Sequence, residues 1–258
     1  MAQPVSTGTV VSDGLDGTGG KKPNQVMPEG KGRDFDSGGC TWYVTLDTPR
    51  GQEGAPPETK SHARLAEGFE YSPHLVAAAG GTAVQFRAYV DGAHTANSRY
   101  ARCELREMEK DGRTKAGWSI SEGSHVMEAE FALYHTLKEM PEMVCGQIHG
   151  DQTEVIAFFR YRAGRGIGWQ WGKAEVHYPD RDNYPEQGKY VKIRLEAVNG
   201  IVKGFINGEL IFERPDDRSG CYFKLGAYLQ SSPTLDHEDP NAYGQMLVRY
   251  VKVTHESG

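Results

Sequence analysis

Short segments in which apolar and polar residues alternate occupy most of the chain from residue 71 onward. Because successive side chains of a β-strand point to opposite faces, this pattern is typical of strands with one buried face. The predicted strands are 83–90, 100–108, 126–137, 143–149, 155–162, 169–178, 190–198, 201–206, 209–214, 221–230 and 246–255. Asn199-Gly200 and Asn207-Gly208 each separate two of them, and Asn-Gly favours a two-residue hairpin turn. Since no long segment has a helical period, the sequence predicts an all-β fold, a β-jelly roll sandwich in which one curved sheet forms a groove.

Domain organisation follows from the composition along the chain. Residues 1–38 are rich in Gly, Asp, Lys and Pro and lack a hydrophobic period, so we expect an extended N-terminal arm or surface loop. Residues 39–258 are expected to form a single domain, with a second loop-like stretch at 48–60. No apolar run approaches the ~20 residues that cross a bilayer, so no membrane partner is expected. No apolar signal segment follows Met1, which fits a mature secreted, extracellular protein, although a cytosolic chain would look the same.

The formal net charge of −6 at pH 7 limits the kinds of partner. Proteins that bind nucleic acid usually present a basic face, so nucleic acid is not expected as a partner. A polyanion is not excluded, because a few arginines in a cleft can reverse the local potential. We expect the chain to be a monomer.

The four cysteines, Cys40, Cys103, Cys145 and Cys221, are far apart and form no C-x-x-C pair. A zinc knuckle or a thioredoxin-type redox motif is therefore not predicted. Zero, one or two disulfides are possible, and full pairing allows three connectivities. Strand alternation predicts that Cys103 and Cys221 face the core and that Cys145 faces the groove.

Three predicted strands carry unusual polar residues on one face and apolar residues on the other. The polar faces hold Arg102, Glu104 and Arg106 in the first strand, Gln147 and His149 in the second, and Tyr222, Lys224, Tyr228 and Gln230 in the third. A solvated sheet face usually carries Thr, Ser, Lys and Glu. These faces instead combine donors for a carboxylate with groups that can transfer protons, which is the composition of a functional site.

The same three strands resemble the motifs of a known family. Arg102-Cys103-Glu104-Leu105-Arg106 resembles the R-[ST]-E-L-R motif of the alginate lyases of polysaccharide lyase family 7. Gln147-Ile148-His149 is similar to the Q-[IV]-H motif of that family, and residues 222–230 are similar to its Y-F-K-x-G-x-Y-x-Q motif. The resemblance runs from about residue 69 to the C-terminus and does not include the N-terminal arm. The sequence departs from the family at Cys103, where Ser or Thr is usual, and at Leu229, where Asn is common.

This resemblance implies cleavage of a 4-linked uronate glycan, most of all alginate, by β-elimination within the polymer. Elimination requires that the uronate carboxylate be neutralised, that a base remove the C5 proton, and that an acid protonate the departing O4. By the resemblance, Arg102 and Gln147 bind the carboxylate, with His149 in support. The planar fork of arginine suits this task because it can meet a carboxylate with two hydrogen bonds.

The resemblance also assigns the proton-transfer groups. Tyr228 is expected to be the acid, and also the base where the C5 proton lies on the same side as O4. Tyrosine ordinarily keeps its proton at neutral pH, so cations such as Lys224 are needed nearby. His149 is the expected base for the opposite C5 stereochemistry, as in guluronate, and Ile148 in the second motif favours guluronate-containing blocks in this family.

The remaining expectations concern substrate contacts and cofactors. The candidate substrate-binding residues are Arg87, Glu104, Arg106, Tyr222, Lys224 and Gln230. Glu104 is expected to fix an arginine rather than to act as a catalytic acid. No cofactor is expected, and the nine histidines show no H-x-x-x-H pair on a helix, so no catalytic metal is implied.

Three other functions stay open at this point. A glucuronan lyase would use the same carboxylate chemistry. A retaining glycoside hydrolase needs two carboxylates about 5–5.5 Å apart, and Glu128 and Glu130 share one predicted strand face. A non-catalytic carbohydrate-binding module would need aromatic platforms, for which Trp169 and Trp171 are candidates, although such tryptophans more often pack a sheet.

Overall fold

The computed structural model describes residues 20–26, 41–47, 57–151, 155–178 and 188–258. In chain order, the strands of these residues are β1 (Thr41–Leu46), β2 (Glu58–Lys60), β3 (Leu75–Ala78), β4 (Ala83–Tyr89), β5 (Arg102–Met108), β6 (Ser124–His135), β7 (Glu142–His149), β8 (Val155–Arg162), β9 (Gly166–Trp171), β10 (Tyr190–Val198), β11 (Ile201–Ile206), β12 (Glu209–Pro215), β13 (Tyr222–Leu229) and β14 (Tyr243–Glu256). Two short α-helices, α1 (His62–Ala66) and α2 (Pro233–Asp236), accompany them. No helix in these ranges is long and apolar enough to span a membrane.

The strands form two seven-stranded antiparallel sheets. The first sheet has the order β2-β1-β5-β13-β7-β8-β9, and the second has the order β12-β11-β10-β6-β14-β4-β3. Strands that are distant in the chain, such as β5 and β13, therefore become neighbours. The predicted all-β jelly roll sandwich is confirmed.

One hydrophobic core lies between the two sheets. Its large members come from both sheets, and Trp42, Phe223, Phe86 and Phe131 are all fully buried. Each such side chain contributes about 1.5–3 kcal/mol through removal of apolar surface from water. The inward face of every central strand is thus committed to packing, which leaves the outward faces for polar chemistry.

The predicted Asn-Gly hairpins are present. Asn199-Gly200 joins β10 to β11, and Asn207-Gly208 joins β11 to β12. The φ angles are 47° and 87° in the first turn and 50° and 87° in the second. Two consecutive positive φ angles define a type I′ turn, whose twist matches that of the flanking strands.

Several elements differ from the sequence predictions. β1, β2 and β3 were not predicted, because β2 and β3 have only three and four residues and β1 stands alone before a proline-rich stretch. The predicted strand 169–178 is displaced: β9 runs over Gly166–Trp171 and ends before Gly172, whose φ is 53°. Residues 58–60 of the expected loop form β2, whereas 48–56 lie outside the described residues.

Part of the expected N-terminal arm packs on the sandwich. Val26 is buried, and the Asn24 side chain donates a hydrogen bond to the carbonyl of Ala66 at 2.8 Å. Residues 20–26 form a surface segment with a 3-10 turn at Pro23–Gln25, and this segment packs on the sandwich. The rest of the 1–38 prediction lies outside the described residues.

Three of the cysteines are described, and all three are buried free thiols. Cys103 and Cys221 face the core, as predicted. The prediction for Cys145 is wrong, because it also lies in the core. Against β8, Val144 pairs with Arg160 and Gly146 with Phe159, so Cys145 is the extra residue of a β-bulge that reverses the alternation. Cys40 lies outside the described residues.

Candidate active site

The three polar strand faces meet on the first sheet, where β13 lies between β5 and β7. The register places Lys224 between Arg106 and Gln147, and Tyr228 directly opposite Arg102. Tyr222 lies opposite His149. Residues from three distant parts of the sequence thus form one cluster.

Glu104 is the centre of this cluster. Its carboxylate is 1% exposed and accepts hydrogen bonds from Arg102, at 3.0 Å, and from Lys224 and Gln147. Burial raises the pKa of Glu104, but the charges of Lys224 and Arg102 outweigh it, and the pKa lies below its usual value. Glu104 is therefore an anion that holds three donors in place, which agrees with the expected role of fixing an arginine.

The orientation of the Gln147 side chain follows from this contact. A carboxylate without its proton can only accept hydrogen bonds, so the amide nitrogen of Gln147 must face Glu104. Nitrogen carries two protons, and one of them stays available to a bound molecule. Gln147 also lines an open cavity next to the cluster.

Lys224 is almost completely buried among charged groups. Burial lowers the pKa of Lys224, the Glu104 carboxylate opposes this effect, and Arg102 adds to it, which gives a pKa of about 8. Lys224 therefore carries its positive charge at neutral pH, beside the Glu104 anion.

His149 is held in one tautomer. Its Nδ1 lies 2.7 Å from the carbonyl oxygen of Gly150, which can only accept, so Nδ1 carries a proton and Nε2 of the neutral ring is a free base. Burial lowers the pKa of His149, and the Lys224 charge adds to this, although the Gly150 hydrogen bond opposes it. The ring stacks on Tyr222 with centroids 5.0 Å apart.

Tyr228 lies at the far end of β13 from Tyr222, beside a cation. The guanidinium carbon of Arg102 is 3.8 Å from the centre of the Tyr228 ring. The Tyr228 hydroxyl lies 3.1 Å from Oγ of Ser98, which is in the loop before β5. A guanidinium over an aromatic face is an attractive cation–π contact that fixes both side chains.

Arg106 and Tyr222 form a second such pair on the opposite side of Lys224. The guanidinium carbon of Arg106 lies 3.7 Å from the ring centre of Tyr222, and it also lies over the ring of Tyr43 at 5.8 Å. Burial raises the pKa of Tyr222 although Arg106 lowers it, so Tyr222 is a neutral phenol. Tyr43 was not a candidate in the sequence, because β1 was not predicted.

Arg87 is the one candidate that the structure does not bring to this cluster. It lies on β4 of the second sheet, where it donates a hydrogen bond to Gln245 at 3.0 Å and lies over the ring of Tyr243. Strand alternation within 83–90 gave no information about which sheet the strand would join. Arg87 is therefore removed from the set of candidate substrate contacts.

An open cavity of about 690 Å³ adjoins the cluster on the β7 side. It is lined by Val144, Gln147, Tyr228 and Gln230, together with Val155, Phe158, Gln170, Gly172, Lys173 and Arg218. Gln230 accepts a hydrogen bond from Arg160 at 3.0 Å, and Arg160 is paired with Glu142. The wall residues of β8 and β9 were missed, although Phe158 and Arg160 share one face of a correctly predicted strand.

A row of side chains crosses the first sheet through this site. Directly paired residues run from Tyr43 on β1 through Arg106, Lys224, Gln147 and Phe158 to Gln170 on β9, one from each strand. Directly opposed residues have Cβ atoms about 4.5–5.5 Å apart. We name these six residues the transverse row.

The other candidates lie away from the cavity. Glu128 and Glu130 are on β6 of the second sheet, and Glu128 accepts a hydrogen bond from Tyr250 at 3.1 Å. Trp169 stacks between Phe212 and His177, so it packs the sheet. Within the described ranges, no three His, Cys, Asp or Glu side chains are grouped so that they could hold a metal ion.

The chain is similar to a known protein family over most of its length. A family model described as alginate lyase matches residues 37–255. The alginate lyase AlgAT5 from polysaccharide lyase family 7 is 30% identical, with a TM-score of 0.78 over 91% of this chain and 99% of its own. The alginate lyase from Corynebacterium sp. is 32% identical, with a TM-score of 0.76 over 83% of this chain and 94% of its own.

A more distant structure, alginate lyase A1-II′ of polysaccharide lyase family 7, is 20% identical and shares the fold, with a TM-score of 0.74 over 92% of this chain and 100% of its own. The comparison with curated proteins gave no match. The resemblance seen in the three motifs is confirmed. With the match extending over most of its length, the chain belongs to the alginate lyases of polysaccharide lyase family 7.

Proposed function

We propose that this protein cleaves alginate by β-elimination on the outward face of β5, β13 and β7, within the polymer and outside the cell. The observation that carries the proposal is the Glu104 cluster, which fixes Arg102, Gln147 and Lys224 beside Tyr228 and His149. A binding module needs no such set of proton-transfer groups. The carboxylates of a glycoside hydrolase are also missing from the described cavity wall.

The uronate carboxylate is bound by Arg102 and the free N–H of Gln147, with the Lys224 charge below. When the C5 proton leaves, negative charge spreads onto the carboxylate oxygens, and these fixed donors stabilise it more strongly than the ground state. Glu104 fixes the orientation of these donors before substrate binds. Their orientation then does not have to be established during the reaction.

The protons are moved by Tyr228 and His149. Tyr228 protonates the departing O4 and, for mannuronate, also removes the C5 proton from the same side. For guluronate, the C5 proton lies on the opposite side, and the bare Nε2 of His149 is the base. Tyr222 stacks on the His149 ring and keeps it in position.

Neighbouring sugar units lie along the transverse row. Arg106 contacts the chain within this row, and Tyr222 and Gln230 contact it from the two flanks of the row, because they lie before and after Lys224 along β13. In the cavity, the side chain of Lys173 provides positive charge for a further carboxylate, whereas Arg218 is paired with Asp216. Because the cavity is open to solvent, a polymer can enter from the side, which supports cleavage within the chain.

The experiment that tests this function is the growth of ultraviolet absorbance from unsaturated chain ends. The wild-type protein is incubated separately with mannuronate-rich alginate, guluronate-rich alginate and glucuronan. Growth on either alginate supports both the reaction and the substrate. Growth on glucuronan alone would retain elimination and replace the substrate, whereas hydrated, saturated ends would contradict elimination.

The two base assignments predict a change in block preference. In His149→Asn, the free Nε2 base is lost, while an amide can keep the hydrogen bond to the Gly150 carbonyl. We expect the rate ratio of guluronate-rich over mannuronate-rich alginate to fall by about 10²- to 10⁴-fold, the usual contribution of a positioned general base. Initial absorbance rates on the two block polymers measure it. An equal loss on both would show that His149 serves carboxylate binding rather than proton removal.

A further inference from the structure

The loop between β4 and β5 brings a hydroxyl group to Tyr228. Oγ of Ser98 lies 3.1 Å from the Tyr228 hydroxyl. The same Oγ accepts a hydrogen bond from the backbone N–H of Tyr100 at 3.1 Å and lies at the same distance from the Tyr100 carbonyl oxygen. The loop itself is closed by the hydrogen bond from the Ser98 amide to the Thr95 carbonyl at 2.9 Å. Backbone hydrogen bonds of the loop therefore fix Ser98, with its Oγ next to the Tyr228 hydroxyl.

Counting protons shows that this contact has two states. Ser98 has one hydroxyl proton and two acceptors within reach, the Tyr100 carbonyl and the Tyr228 oxygen. When Tyr228 has lost its proton, Ser98 can donate to the phenolate. When Tyr228 is protonated, Ser98 can donate to the carbonyl instead. The Tyr100 N–H holds Oγ in place in both states.

We propose that Ser98 is a positioning residue for Tyr228, which turns its hydroxyl toward the tyrosine when the phenolate forms and away from it when the phenol forms. This inference rests on the proposed function. In the mannuronate reaction, the phenolate takes the C5 proton and becomes a phenol, and the phenol then gives that proton to O4. Tyr228 ends as a phenolate, so the proton count balances, and Ser98 gains or loses no proton.

Charged groups also lie near the Tyr228 ring and near Tyr100 in the loop. Arg102 on β5 lies over its ring. Tyr100 in the same loop has a pKa raised by burial and then by Asp236 of α2 and by Tyr228, while Arg99 and Arg160 lower it. Of the contacts described for the Tyr228 hydroxyl, the one that can alternately give and withhold a proton is that of Ser98.

The test is Ser98→Ala, assayed as initial rates on alginate over a range of pH. Removal of the donor disfavours the phenolate, so kcat falls about tenfold near neutral pH while KM changes little. The acidic limb of the kcat profile moves up by about one pH unit, because one unit corresponds to a tenfold change in equilibrium. Ser98→Thr keeps the hydroxyl and restores both values.

Ser121→Ala is the matched control. It removes a serine hydroxyl that donates a hydrogen bond to the Asp217 carbonyl, and it keeps the wild-type profile. Unchanged kcat in Ser98→Ala, or a rise in KM without displacement of the pH profile, would overturn the role of Ser98 while the lyase function stands. A folded wild-type protein that forms no unsaturated ends on any polymer would overturn the proposed function and the role of Ser98 together.

Discussion

Tyr228→Phe is expected to lower kcat on alginate by about 10²- to 10⁴-fold, the usual contribution of a positioned acid or base. The substitution removes one oxygen and leaves the ring beneath Arg102, so the cation–π contact at 3.8 Å is retained. Carboxylate binding through Arg102 and Gln147 does not require the hydroxyl, and KM should therefore change little. Initial absorbance rates at several polymer concentrations separate kcat from KM.

A matched control is Tyr250→Phe on β14, whose hydroxyl donates to Glu128 on the outward face of the second sheet. This variant loses the same atom away from the cavity and should keep wild-type kcat. Thermal unfolding of both variants shows whether the fold is retained. A Tyr228→Phe protein that is folded and turns over at the wild-type rate would remove Tyr228 from the chemistry.

Glu104→Gln is expected to destabilise the protein by about 3–5 kcal/mol, because removal of one partner leaves buried charge uncompensated. Arg102 and Lys224 would then lie together with no anion between them. For a chain of this size, such a loss lowers Tm by roughly 6–20 °C. We also expect a fall in kcat/KM on alginate, because the Gln147 amide loses the carboxylate that orients it. Thermal unfolding and absorbance rates measure the two effects.

The pH dependence of this stability difference has a definite sign. The pKa of Glu104 in the folded protein lies below its usual value, so the unfolded chain binds a proton first as the pH falls. The stabilisation by Glu104 is therefore complete above its unfolded pKa, about 4.3, and is lost as the pH falls through the lower folded value. The Tm difference between wild type and Glu104→Gln should shrink in acid.

Glu128→Gln, a carboxylate on the outward face of the second sheet, is the control and should change Tm by little at any pH, as is usual for exposed ion pairs. A Glu104→Gln protein as stable as wild type at neutral pH would show that the cluster does not depend on its central anion.

Sequence patterns predicted the site as far as strand alternation holds. Within β5 and β13, the alternation placed Arg102 and Lys224 on the outward face and Cys103 on the inward one. It failed at Cys145, because the β-bulge depends on how β7 fits between two partners. A bulge adds a residue to one strand, and the local sequence carries no clear mark of it.

Long-range pairing explains the other differences. Arg87 lies on a correctly predicted strand, but which sheet that strand joins depends on the distant β14. Ser98 belongs to a loop, where no periodicity applies, and its contact with Tyr228 joins positions far apart in the chain. The family motifs located the central groups because they are short and lie within single strands. The cavity walls on β8 and β9 required the sheet order.

The transverse row has a consequence for protein engineering. Each of its six members comes from a different strand. One member can therefore be randomised without a change in the strands that carry the other five. The outermost members, Tyr43 and Gln170, are half-buried, and neither is among the three hydrogen-bond donors to Glu104 described above. A library confined to these two positions would vary the recognition of distant sugar units and leave the reacting centre intact. Block selectivity and turnover could then be selected separately.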